Sequence, residues 1–295
     1  MVSINPCLRL RAGVVLVLLI LTGTACTEES PPGVADSADP GIGHVHGLGV
    51  DPADGTVYVA GHYGLFQIRS TDTARRVADR IQDHMGFTVV GPKTFLASGH
   101  PGEADASSGA SPHLGLIRTT DAGATWTSVS EAGTADFHAI QSAGSNIYAF
   151  DSQTGQVRRS GDEGRTWKLG AREEVIDLAG NAEEPDRVYA TTPRGVQVSD
   201  DGGMAFTTLS AAPLLSHVDS PAKGELVGVG GDGRIHASDD GGKTWQALGK
   251  VPGQATAFTA VDGTRLLAAM EDGTVLQSTD GGRGFTVIFR PAATG

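Results

Sequence analysis

The chain is expected to fold as an all-β, six-bladed β-propeller of four-stranded antiparallel blades with aspartate-centred hairpins. Three observations carry this expectation: a repeat of about forty residues, four short β runs within each repeat, and 42 glycines among 295 residues without a collagen-like period. Glycine at that frequency signals many tight turns and so many short strands, which excludes a long helical bundle. The formal net charge of −12, with no Lys/Arg cluster to offset it, excludes an ordinary nucleic-acid binder, because an acidic surface repels phosphate.

The N-terminal segment reads as an address. Arg9 and Arg11 give a positive start, the run 13–21 is apolar but too short to span a bilayer, and the small residues Thr22 to Ala25 follow. Cys26 comes next. An apolar segment, small residues and then Cys resembles a bacterial lipobox, with Gly23 where Leu, Val or Ala is commoner; a plain secretory signal is the other reading. The resemblance implies a lipoprotein signal peptide over 1–25, a lipidated Cys26 and an extracytoplasmic protein anchored at the cell membrane. Residues 26–43 contain a run of Glu, Ser, Pro, Asp and Gly that reads as a flexible tether, leaving 44–295 as the propeller domain. Cys7 would leave with the leader, so the exported body holds no thiol pair and no disulfide.

The repeat is visible as five aligned segments: Thr119–Trp126, Ser160–Trp167, Ser199–Phe206, Ser238–Trp245 and Ser278–Phe285. Their third residues, Asp121, Asp162, Asp201, Asp240 and Asp280, stand 41, 39, 39 and 40 residues apart. An eroded sixth copy starts at Ser70 with Asp72, and the polar insert 100–113 accounts for its longer interval. The chemistry is that of a hairpin: Ser and Asp side chains bond the turn backbone, Gly supplies positive φ, and the aromatic packs beneath. An EF-hand is excluded, since no Glu stands at the twelfth loop position. Each unit holds four β runs, for example 138–143, 146–150, 156–160 and 166–169, which is the arithmetic of a propeller blade.

These segments resemble the Asp box, or BNR repeat, Ser/Thr-x-Asp-x-Gly-x-Thr-Trp/Phe. The resemblance covers units one to six and implies kinship with propellers such as sialidases, sortilin-type receptors and photosystem assembly factors. The opening His44–Phe66 is also similar to bacterial lipoproteins described as glycosylhydrolase-like. A sialidase is expected to use three arginines, a Tyr/Glu pair and an Asp. Here the predicted top face offers only Arg172 and Arg194, with Tyr63 its sole Tyr, so the arginine triad is missing. No phosphate-cradling loop, Gly-x-Ser-x-Gly elbow or His-Glu-x-x-His helix is present.

Strand alternation sorts the loops. If the first strand of each blade enters at the top, the second-to-third turns and the inter-blade links are also on top, and the aspartate hairpins are at the bottom. Eight of the nine histidines then fall on top, and only His236 does not. Aligning inner-strand starts puts His46, His138, Asp177 and His217 at equivalent positions, with His84 nearby and His44 two residues before His46. Imidazoles and carboxylates converging on one axis can bind a transition metal, zinc or copper. A ring satisfied by channel water and backbone is the competing reading. Candidate ligand-binding residues are Arg172, Arg194, His62 and His100. Glu271 and Asp232 form a conceivable acid–base pair for glycoside hydrolysis, or else a solvated rim. The insert is either a lid or a flexible loop. The functional expectation is a monomeric, lipid-anchored module binding a protein, a glycan or a transition metal through its His-rich top face, with a glycoside hydrolase as the alternative.

Overall fold

The computed structural model describes residues 39–292; the expected leader, Cys26 and residues 26–38 of the expected tether lie outside them, while Ile42, near the tether's expected end, is buried in the core. Within these residues, six four-stranded antiparallel sheets form a ring, a six-bladed β-propeller. Blade 1 comprises β1 (Val45–Val50), β2 (Val57–Gly61), β3 (Gly64–Ser70) and β4 (Thr73–Arg76). Blade 2 comprises β5 (Asp83–Gly91), β6 (Thr94–His100), β7 (Leu116–Thr119) and β8 (Thr127–Ser130). Blade 3 has β9 (Phe137–Ala143), β10 (Asn146–Asp151), β11 (Gln156–Ser160) and β12 (Lys168–Arg172). Blade 4 has β13 (Asp177–Gly180), β14 (Val188–Thr192), β15 (Gly195–Ser199) and β16 (Thr207–Thr208). Blade 5 runs β17 (Leu215–Asp219), β18 (Leu226–Gly230), β19 (Arg234–Ser238) and β20 (Gln246–Lys250). Blade 6 runs β21 (Ala255–Ala260), β22 (Leu266–Met270), β23 (Val275–Ser278) and β24 (Thr286–Phe289).

The core is divided into six apolar clusters, one at each blade-to-blade interface. Each blade is built from one contiguous stretch, so no strand is shared between the first and last blades. Closure rests on packing of Val45, Leu48, Val59 and Phe66 against Ala257, Leu267, Ala269 and Phe289. One backbone bond, Arg290 N–H to the Thr71 carbonyl at 2.8 Å, joins the ends of the ring. Burying each of the Val, Leu and Phe side chains among these stabilises by roughly 1.5–3 kcal/mol.

The five aspartate hairpins share one backbone bonding scheme, and in three of them a Thr hydroxyl adds a further bond to the Asp, Ala205 and Gly284 standing at that position in the other two. In the Ser160 hairpin, Ser160 Oγ donates to Asp162 Oδ1 (2.8 Å) and accepts from Gly164 N–H (2.8 Å), while Asp162 accepts from Thr166 N–H (2.9 Å) and Thr166 Oγ1 (2.7 Å). These bonds hold the Asp162 carboxyl down at about 2. Gly164 has φ +86°, and a Cβ there would lie 2.1 Å from Leu116 Cδ2 of the preceding blade, so the hairpin also docks neighbouring blades. The fourth strand starts at Lys168 rather than Thr166 because Thr166 is bound to Asp162 and Trp167 packs into the blade 2–3 core. The eroded copy is a two-residue turn in which Ser70 Oγ bonds Asp72 Oδ1 at 2.5 Å. The insert carries a short helix α1 (Glu103–Ser107) and folds toward the link 78–81, with which it lines a surface cavity.

Candidate functional site

The inner strands carry a one-residue β-bulge near their entry in five blades, at His46, Met85, His138, Ser216 and Thr256. Such an extra residue re-aims the side chains around it. The residue before each bulge is a core position: Val45, His84, Phe137, Leu215 and Ala255 are all at most 2% exposed. His84 therefore belongs to the core. Its ring lies 5.3 Å from that of Trp126 in the blade 1–2 region, and burial pushes it down to about 4. Asp177 and His217 pair with Thr191 and Val229, one residue past the bulge register, where the other blades have Gly47, Gly86, Ala139 and Ala257. The predicted ring is thus two layers, with His46 and His138 in one and Asp177 and His217 in the next.

Both layers line one narrow central cavity of about 70 Å³ walled by all six inner strands, so His46, His138, Asp177 and His217 all border it. Asp177 accepts from Val218 N–H (3.1 Å) of the next blade and from Leu178 N–H (2.9 Å), and Asp219 likewise accepts from Ala260 N–H (2.8 Å). These carboxyls stitch inner strands together. Burial, with Asp219 adding to it, pushes Asp177 up to about 8, and burial brings His217 down to about 4.

Convergence of ligand atoms occurs one level higher, at the rim of blades 1 to 3. The segment before β1 pairs with the β2–β3 turn, His62 N–H donating to the His44 carbonyl at 3.2 Å. A Cβ on Gly61 would lie 2.6 Å from that same carbonyl, so only glycine allows the approach. The pairing gathers three imidazoles: ring centroids are 4.9 Å apart for His44–His46, 4.7 Å for His46–His62 and 5.7 Å for His44–His62. Asp83 faces them, its Oδ1 3.9 Å from His46 Nε2. Both atoms are buried without a hydrogen-bond partner. Burial, then the neighbouring His62 and His44, push His46 down to about 3, so its imidazole is neutral at ordinary pH. Burial pushes Asp83 up, with His62 and His100 opposing.

A second group lies beside it. Asp136 Oδ2 accepts from His138 Nε2 (2.9 Å) and Ser152 Oγ (3.1 Å), with His100 Nε2 at 3.7 Å and His113 Nδ1 at 3.9 Å. Burial raises Asp136, but the His138 bond and charge leave it below its ordinary value. Among the described residues, two triads bring their ligand atoms within 4.8 Å of one another: His46, His62, Asp83 and His100, His113, Asp136. Sequence reading placed His62 and His100 on this face but missed Asp83 and Asp136 as partners. The available signal was the flanking of each inner core residue: His44 and His46 around Val45, Asp83 and Met85 around His84, Asp136 and His138 around Phe137.

The remaining candidates stand apart. Arg172 donates to the Thr154 carbonyl, and Arg194 forms an ion pair with Glu173. They are not alone on the top face, since Arg76 Nε reaches the Tyr63 carbonyl at 2.8 Å. Asp232 and Glu271 are exposed on separate turns of blades 5 and 6. Asp232 accepts from Arg234 N–H at 3.0 Å, which holds its carboxyl low and makes it a poor proton donor.

No protein-family model matches the chain, and no curated protein matches it. Solved structures do. A chain of the nidogen/laminin complex superposes with TM-score 0.61 at 12% identity, over 80% of this chain and 93% of that one. YCF48 bound to D1 peptide gives 0.52 at 16%, over 84% and 83%. These likenesses establish the propeller fold. The GH74 xyloglucanase from Xanthomonas campestris gives 0.54 at 17%, with 84% of this chain covering 45% of that one. At these identities the shared property is architecture, on which unrelated tasks are grafted.

Proposed function

We propose that this protein is an extracytoplasmic binding module that captures a transition-metal ion, Zn²⁺ or Cu²⁺, at the His46–His62–Asp83 group, and is held at the membrane through a lipidated Cys26. The observation that carries the reading is the facing pair of orphaned buried atoms, His46 Nε2 and Asp83 Oδ1 at 3.9 Å. Ligand atoms held about 2 Å from one tetrahedral ion lie about 3.3 Å from each other, so the 3.9 Å pair need close by only about half an ångström to take up an ion. Neutral imidazole with carboxylate suits Zn²⁺ or Cu²⁺, whereas Cu⁺ prefers sulfur; no Cys follows Cys26 in the chain.

Full-length, tag-free protein equilibrated with Zn²⁺ or Cu²⁺ and dialysed is expected to retain at least one equivalent. Saturation at about a hundredfold over Kd adds about 2.7 kcal/mol, or roughly 5 °C in Tm. His46→Ala and Asp83→Asn should each remove the uptake step at this group and reduce the shift accordingly. Retention below a tenth of an equivalent with no shift refutes the reading. A Cys26→Ser variant should leave the membrane fraction; persistence there refutes the lipid anchor.

A protein ligand on the same face is the second reading. It is supported by the exposed side chains Tyr63, Ile81, Ile176 and Leu214 at blade entries, turns and links, and by the peptide and laminin complexes of the two structural neighbours. Co-purification that survives His46→Ala would favour it. The glycoside-hydrolase alternative has less support, because Asp232 is committed to its own turn.

A further inference from the structure

We infer that His100, His113 and Asp136 form a second transition-metal centre, so that the rim of blades 1 to 3 holds two ions. This rests on the metal reading of the face and adds a site to it. Three observations carry it. First, the base of the insert is closed by Leu114 N–H donating to the Gly99 carbonyl at 2.9 Å, which sets the His100 and His113 rings 5.4 Å apart. Second, His100 Nδ1 lies 2.9 Å from the Pro112 carbonyl. A carbonyl only accepts, so Nδ1 carries the proton and Nε2 presents its lone pair toward Asp136, 3.7 Å from Oδ2. A metal-binding histidine is oriented in this way by a partner on its other nitrogen. Third, Asp136 is 3% exposed, its Oδ1 has no partner, and neither has the buried Nδ1 of His113.

The two centres share a wall. Asp83, a ligand of the first, is paired with His100, a ligand of the second, across the β5–β6 ladder. Residues opposed in this way have Cβ atoms about 5 Å apart. Two divalent ions so placed repel one another, so the second ion is expected to bind at least tenfold more weakly than the first.

The test is a calorimetric titration of the full chain with Zn²⁺, with bound metal counted after gel filtration, and circular dichroism as the folding control. Wild type should take up two equivalents in two steps. His113→Ala, and separately His100→Gln, should remove one step and leave the other, while Asp83→Asn removes the complementary step. One equivalent lost only in the His46 and Asp83 variants overturns the second centre and leaves the first standing. One equivalent lost in all variants equally means a single shared site and also overturns it. No binding at all refutes the metal reading of the whole face.

Discussion

Replacing Asp177 by Asn tests whether the deep channel layer holds a neutral acid. The side chain is inside the ring, bonded to the backbone N–H groups of Leu178 and Val218. An Asn of the same shape keeps one of the two acceptors and has no proton to lose, so its lost hydrogen bond is a cost independent of pH. Folded, the Asp177 carboxyl is raised from its ordinary 3.8 to about 8. Between those values the folded chain holds a proton that the unfolded chain has released. The associated stability is therefore complete below the lower value and lost as pH rises through the upper one, at up to about 1.4 kcal/mol per pH unit. The ceiling over the interval is about 5–6 kcal/mol. Part of the side chain faces the channel, and a cavity of about 70 Å³ admits water, so about half of that is expected. Urea midpoints of wild type and Asp177→Asn measured from pH 5 to 8 should diverge, the variant gaining about 2 kcal/mol relative to wild type. A difference that stays flat within about 0.3 kcal/mol would show that Asp177 is ionised at neutral pH, and the argument would fail.

Three other outcomes follow from the hairpins and links. Gly164→Ala should lower stability by about 2–4 kcal/mol, from positive φ and overpacking, whereas Gly155→Ala, with nothing within 4 Å, should cost only about 1–2 kcal/mol; equal thermal shifts would contradict the docking role. Asp151→Ala removes one of the two carboxylates beside the buried Arg158 guanidinium and should cost about 3 kcal/mol in a denaturant titration. The hairpin carboxylates Asp162 and Asp240, held at about 2 by their Thr166 and Thr244 bonds, stabilise above their ordinary value. Their contribution should fade as pH falls toward 2, so Asp162→Asn should flatten the acid limb of a Tm profile; an unchanged limb would count against it.

The blades were legible in sequence because each aspartate hairpin is a local device. Ser160, Asp162, Gly164 and Thr166 bond one another within seven residues, and four strands between such hairpins have few other ways to pair. The candidate site was legible only in part. His46 and His138 were aligned correctly because both sit at a bulge. His84 was misplaced because a bulge shifts phase by one residue, and a single histidine in the chain does not reveal whether it sits on the bulge or on the core residue before it. The flanking of Phe137 marked Asp136 as a face residue but not which histidines it meets, since His100 and His113 arrive from an insert in another blade.

The chain by itself thus determined the repeat, the number of blades and the face on which histidines gather, because these depend on short-range hydrogen bonding and strand alternation. Only the tertiary structure decided which histidines meet which carboxylates. That depends on bulge register, on close backbone approach at Gly61, and on the curvature that brings three different blades to one rim.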